Sequence, residues 1–108
     1  MERFELLEQR IQKFADDRDW YQFHTPSNLA KSVAIEAGEL LECFQWNDTE
    51  FEKEHVLEEL ADVMSYCIMM AQTLGVDLID VVNSKMDKNE RKYPVEKAKG
   101  ISTKYDKL

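Results

Sequence analysis

Val56-Leu57-Glu58-Glu59-Leu60-Ala61-Asp62-Val63-Met64-Ser65-Tyr66-Cys67-Ile68-Met69-Met70-Ala71-Gln72-Thr73-Leu74 decides the fold class. Val56, Leu60, Val63, Cys67, Met70 and Leu74 recur at threes and fours, the spacing that lines one face of an α-helix. The pattern predicts a helix from about Glu50 to Leu74, capped by Asp48 or Thr49 and stopped by Gly75. Leu57, Ala61, Met64, Ile68, Met69 and Ala71 flank that stripe, so this helix is apolar on more than one side. A lone bundle of this size rarely buries so much of one helix, and a dimer at least is expected.

Working outward, Phe4, Leu7, Ile11 and Phe14 mark an amphipathic helix ending near Arg18. Asp19-Trp20-Tyr21-Gln22-Phe23-His24-Thr25-Pro26 breaks the period, and its three aromatics and one proline read as an ordered loop. Ser27 or Asn28 can cap a second helix, on which Leu29, Val33, Glu36, Leu40 and Phe44 share a face, and Trp46-Asn47-Asp48-Thr49 ends it. Asp77 opens a fourth helix carrying Leu78, Val81, Val82 and Met86, closed by Pro94. The expected architecture is all-α: a four-helix bundle over 1–94 with a lysine-rich tail at 95–108, assembling into a dimer or tetramer.

Composition narrows the function classes. The 108 residues are 44% apolar with three glycines, too hydrophobic for disorder and too glycine-poor for a turn-rich β protein. No apolar run approaches the roughly 20 residues that span a bilayer, and the charged opening Met1-Glu2-Arg3-Phe4-Glu5 is no signal peptide. Cys43 and Cys67 lie in apolar helical stretches and read as reduced thiols, which suits the cytoplasm. The net charge of −8 argues against a nucleic acid polymer as partner. It is unevenly spread: residues 1–84 hold 18 acids and 6 bases, residues 85–108 hold 4 and 8. Two readings stand: solvated surfaces with a basic tail, or a metal-attracting body with a segment that meets anions.

Glu36 with Glu39, and Glu59 with Asp62, place two carboxylates one turn apart on one side of a helix. Eight acidic pairs have this spacing, Glu2/Glu5 and Asp77/Asp80 among them, so spacing alone selects nothing. Setting does: Glu36 falls inside the apolar series of the second helix, and Glu59 and Asp62 border the stripe of the third. Half-buried carboxylates repel and lose hydration, and no lysine or arginine on 54–74 neutralises them. Either they face solvent at a helix edge, or a divalent cation removes the cost; oxygen ligands favour Mg²⁺, with Mn²⁺ as a substitute. His24 is a structural hydrogen-bonding residue or a catalyst. Trp20, Phe23, Trp46 and Tyr66 are core or a stacking pocket for a base. Lys85, Lys88, Arg91 and Lys92 are surface charge or a phosphate-binding counterpart. His55 reads as surface.

Taken jointly, Arg18-Asp19-Trp20-Tyr21-Gln22-Phe23-His24, Asn28-Leu29, Glu36-Ala37-Gly38-Glu39-Leu40, Phe44-Gln45-Trp46, Glu58-Glu59-Leu60-Ala61-Asp62-Val63, Ser84 to Pro94 and Lys104-Tyr105 resemble the MazG-related all-α nucleoside triphosphate pyrophosphohydrolases. Within them the chain is most similar to the small dCTP pyrophosphatase branch. The resemblance implies Glu36, Glu39, Glu59 and Asp62 as Mg²⁺ ligands, with Glu39, or its rival Glu36, activating water. It implies a nucleotide pocket with Trp20, His24, Trp46 and Tyr66. Lys85, Asn89, Arg91 and Tyr93 would meet phosphates or sugar, together with Lys31 one turn from Asn28. Some relatives carry a glutamate where this chain has Ile35, and a first-helix histidine where it has Ile11. The implied activity is Mg²⁺-dependent hydrolysis of a nucleoside triphosphate, dCTP or a modified dCTP, to monophosphate and pyrophosphate, serving nucleotide pool cleaning in a homodimer or homotetramer. The competing readings are a related enzyme acting on dUTP or phosphoribosyl-ATP, and a non-catalytic metal-binding helical oligomer.

Overall fold

The computed structural model describes residues 2–108. It is all-α, with four long helices and one short one: α1 Arg3–Asp17, α2 Pro26–Glu42, α3 Lys53–Leu74, α4 Leu78–Lys92 and α5 Val95–Ala98. Single 3-10 turns occupy Trp20–Phe23 and Tyr105–Lys107. The chain forms two compact units, one ending at Val76 and one spanning Asp77–Leu108. Among the described residues no single helix is long and apolar enough to cross a membrane, and Cys43 and Cys67 are free thiols.

In the first unit α3 packs mainly on α2 and also on α1. Among the described residues its buried core is small: Ala15 of α1, Leu29 of α2, and Ile68, Met69 and Ala71 of α3. The α3 contribution comes from residues flanking the 56–60–63–67–70–74 stripe and lies entirely in the C-terminal half. There Gln72 Nε2 also donates to the Glu8 carbonyl at 2.8 Å, tying α1 to α3. Leu57, Leu60 and Met64 in the first half are exposed.

Local chemistry explains the breaks. At the end of α1, Arg18 donates to the Phe14 carbonyl at 3.1 Å and lays its guanidinium 3.8 Å from that ring's centre. Asp19 then takes a left-handed conformation, φ 53°, which aspartate tolerates better than most residues. Gln22 Nε2 donates to its carbonyl and carboxylate at 3.0 and 3.2 Å. This reversal returns the chain so that Trp20 meets Phe14 edge-on, 5.3 Å between ring centres. The cap of α2 is Thr25, not Ser27 or Asn28: Thr25 Oγ1 accepts from the Asn28 amide at 3.1 Å, and Pro26 opens the helix, where its missing N–H costs nothing.

The start of α3 differs from the expected cap at Asp48 or Thr49. Asn47 Oδ1 accepts from the Thr49 and Glu50 amides at 2.9 and 2.8 Å. That local turn holds 47–50 outside the helix and delays its start to Lys53. The expected stop at Gly75 is present: its φ of 70° lets the Val76 amide reach back to the Ala71 carbonyl at 3.0 Å. In the second unit Asp77 caps α4, accepting from the Ile79 and Asp80 amides at 2.9 and 3.3 Å. Arg91 and Lys92 occupy its last turn, where cations suit the helix dipole. Beyond α4, Tyr93 and Tyr105 meet edge-on at 6.1 Å, and Lys92 Nζ lies 4.6 Å from the Tyr105 ring centre.

Candidate active site

The packing of α2 on α3 brings Glu36 opposite Glu59 and Asp62. One carboxylate oxygen from each lies within 4.8 Å of the other two; Glu36 and Glu59 are half-buried and Asp62 is exposed. The Oε2 atoms of Glu36 and Glu59 are closed off from water and have no hydrogen-bond partner. Ionised carboxylates so arranged lose hydration and repel. Burial, then a shared hydrogen bond and charge from Glu39, then the charges of Asp62 and Glu59, push the Glu36 carboxyl up to about 7. Glu59 is raised too, by burial first and then by Glu39 and Asp62.

Glu39 thus sits within hydrogen-bonding reach of Glu36 and Glu59, with its side chain exposed and outside the tight triad. Among the described residues no lysine or arginine pairs with these acids. The basic side chain that does meet them is the imidazole of His55, read from sequence as surface, whose Nε2 lies 3.4 Å from Glu59 Oε1. Orphaned carboxylate oxygens that converge without a sulfur ligand fit a hard divalent cation.

Asp62 also lines a cavity of about 360 Å³ with Leu7, Arg10, Ile11, Phe14, Trp20, Ser65, Tyr66 and Met69. Trp20 and Tyr66 therefore stand where a pocket beside the carboxylates needs them. The Tyr66 hydroxyl is pushed above its ordinary value by burial, then by Glu36, Asp62 and Glu39, and stays protonated. His24 stacks edge-on against Trp20 and Tyr21, and its Nδ1 is buried without a partner. Asn28 is committed locally, donating from Nδ2 to the Phe23 carbonyl at 3.0 Å. Lys31 is exposed on α2 and does not line this cavity.

Trp46 is not joined to Trp20. It is 89% exposed and lines a second cavity of about 400 Å³, with Glu42, Cys43, Asn47, Phe51 and His55 among its walls. Phe44 and Phe51, 4.8 Å apart, brace that loop. Lys85, Asn89, Arg91 and Tyr93 belong to the second unit, where Asn89 points its amide at Met86 Sδ, 4.0 Å away. Sequence reasoning missed Arg10 and Ser65. Arg10 is one of several charges on an amphipathic helix, and nothing in its spacing marks it.

These observations define a class: an all-α protein with a cluster of converging carboxylates set beside an aromatic cavity. The MazG-like family profile matches residues 31–108, and the chain belongs to that family. It is similar to dCTP pyrophosphatase 1 of Mus musculus, 44% identical over 105 residues, and of Homo sapiens, 42% identical over 105 residues. In both cases the match covers 89% of this chain, and the chain spans 62% of the relative's length. It also resembles the crystal structure of a pyrophosphatase from Archaeoglobus fulgidus DSM 4304, with a TM-score of 0.81 and 40% identity, covering 87% of this chain and 94% of that one.

Proposed function

We propose that the protein hydrolyses a nucleoside triphosphate, dCTP or a modified dCTP, to the monophosphate and pyrophosphate. The observation that carries this reading is the double placement of Asp62, which belongs to the carboxylate triad and also lines the aromatic cavity. A ligand in that cavity extends polyanionic groups toward a cation held by Glu36, Glu59 and Asp62. Similarity to the dCTP pyrophosphatases supports the substrate class.

Glu36, Glu59 and Asp62 would hold Mg²⁺, or Mn²⁺ as a substitute, which would supply charge neutralisation for the phosphates. The chain's own residues do the rest. Glu39, exposed beside the triad, takes the proton of the attacking water; Glu36, held near neutrality by its neighbours, is the rival. The water oxygen bonds to the α-phosphorus, the bond to the bridging oxygen breaks, and pyrophosphate leaves with that electron pair. Trp20 stacks on the base, the neutral Tyr66 hydroxyl donates to the ligand, and His24 supports the Trp20 ring. Asn28 holds the Phe23 carbonyl and with it the 20–24 loop. Lys31 meets phosphates or sugar; Lys85, Asn89, Arg91 and Tyr93 of the second unit offer donors for the same groups, and Trp46 offers a stacking face in its own cavity.

A second copy of the chain supplies the missing cover. Ile35 and Leu41 of α2, 62% and 72% exposed, lie with Leu57, Leu60 and Met64 of α3 outside any core. Exposed apolar residues on two adjacent helices suit a homodimer or homotetramer.

The test is a panel of ribo- and deoxynucleoside triphosphates plus 5-methyl-dCTP, with and without Mg²⁺, products separated by anion exchange. Mg²⁺-dependent dCMP and pyrophosphate are expected. Faster turnover of dUTP would move the protein to a different pocket chemistry. No product from any nucleotide would leave a non-catalytic metal-binding oligomer as the better account.

A further inference from the structure

Resting on the cation site proposed above, we infer that His55 is its positioning residue: the imidazole Nε2–H engages Oε1 of Glu59 and so fixes Oε2 as the oxygen that Glu59 presents to a divalent cation.

His55 is the third residue of α3, and Glu59 lies four residues on, the spacing that sets two side chains together on one helix face. Nε2 stands 3.4 Å from Oε1, and a small turn of the ring brings it to hydrogen-bonding distance. The two oxygens of Glu59 are therefore unequal. Oε1 meets the imidazole, whereas Oε2 is closed off from water and has no hydrogen-bond partner. A carboxylate oxygen so enclosed is costly unless something meets it. The convergence of Glu59 with Glu36 and Asp62 is where a cation would do so.

The imidazole approaches from a different quarter than the substrate pocket. Asp62 lines the cavity of Trp20 and Tyr66, while His55 lines that of Cys43, Trp46 and Phe51. The charge of Glu59 reaches this second cavity too: burial first, and then Glu59, push the Cys43 thiol above its ordinary value. His55 is half open, its side chain 53% exposed against 13% for Glu59, so it is no part of the core. Its use is to restrain. Carboxylates that repel one another swing apart when their side-chain torsions are free, and the cation then has to gather them. A donor one turn away on the same helix sets one of them in advance, and partners of this kind carry about 10- to 100-fold of metal affinity. A neutral imidazole with its proton on Nε2 suffices. A nitrogen that donates in this way has no lone pair left for the metal, so His55 holds a ligand and is not one.

The experiment measures Mn²⁺ binding by electron paramagnetic resonance, without nucleotide, for wild type, H55A, H55F, H55Q and the control E54Q. The Mg²⁺ dependence of dCTP hydrolysis follows on the same proteins. Glutamine returns an N–H donor, and phenylalanine keeps a ring without one. H55A and H55F are expected to weaken Mn²⁺ binding about 10-fold or more and to raise the half-saturating Mg²⁺ in parallel. H55Q should stay within about threefold of wild type because it restores the donor, and E54Q should match wild type. At saturating Mg²⁺, kcat and KM for dCTP in H55A should return to wild-type values. Metal-free melting temperatures should agree across the set, since an exposed pair contributes little to folding. Unchanged Mn²⁺ affinity in H55A and H55F overturns the inference. So does an H55Q protein as weak as H55A, which would make the imidazole a metal ligand or a packing element. A defect in H55A confined to KM at saturating Mg²⁺ also overturns it, by making His55 a nucleotide contact. A wild-type chain that binds no Mn²⁺ overturns the parent reading of the cation site first, before any variant is compared.

Discussion

The two halves of α3 share one helix and divide the labour. From Ile68 to Gln72 it is clamped, with Ile68, Met69 and Ala71 buried and Gln72 bonded to α1. From Leu57 to Met64 it is open, with exposed leucines beside Glu59 and Asp62. The clamped half holds the frame that lets the open half carry repelling carboxylates. Stability and chemistry should therefore separate along a single helix.

Substitution at each end tests that division most sharply. Asp62→Ala should lower nucleotide hydrolysis about 1,000-fold while leaving the helical circular dichroism signal intact, since Asp62 is exposed. Ile68→Ala should do the reverse, costing about 2–5 kcal/mol of folding stability. Below its lowered melting temperature it should keep most of the activity. An Asp62→Ala protein with wild-type turnover would break the comparison from one side, and an Ile68→Ala protein of unchanged stability from the other.

The pH response of the metal-free protein sharpens it further. Folded Glu36 keeps its proton up to about pH 7, against an ordinary value of 4.5. Between those limits the folded chain binds more protons than the unfolded one, so stability falls as pH rises through the window and levels off above it. Thermal unfolding should show a lower melting temperature at pH 8 than at pH 5, with Mg²⁺ raising it more at pH 8. Glu36→Gln should flatten the slope. A metal-free protein whose melting temperature climbs with pH would contradict the strained-carboxylate account. The smallest effect belongs to the end of the clamped half: Gly75→Ala, forced to φ 70°, should cost about 1–2 kcal/mol without touching turnover.

Much of this was legible in the chain itself. The three- and four-residue recurrence of apolar side chains located all four long helices, because a helix that buries one face must repeat with the turn of the backbone. Gly75 and Asp77 declared their roles through intrinsic chemistry, one free to take a positive φ and the other an acceptor for two free amides. Where capping groups compete, the sequence reading picked the wrong ones, Ser27 or Asn28 for α2. Thr25 won over Ser27 and Asn28 because Pro26 fits the first helical position and Asn28 is drawn to the Phe23 carbonyl. At Asn47 a local side-chain turn displaced the start of α3 past two plausible caps.

The candidate site divides in the same way. Residue types and one-turn spacing nominated the acidic pairs, since two carboxylates on one helix face are a local property. Their convergence is not local: Glu36 meets Glu59 and Asp62 because α2 folds back on α3, and the same packing leaves Glu39 outside the triad. It also separates Trp46 from Trp20, and the fold sets Arg10 in the wall of one cavity with Ser65 and Tyr66. Sequence by itself determined the helices, their stops and the supply of carboxylates, because periodicity, φ preference and side-chain charge act over a few residues. Only the tertiary structure decided which of those groups meet, because residues far apart along the chain become neighbours only when buried side chains such as Leu29 and Ile68 set how the helices lie.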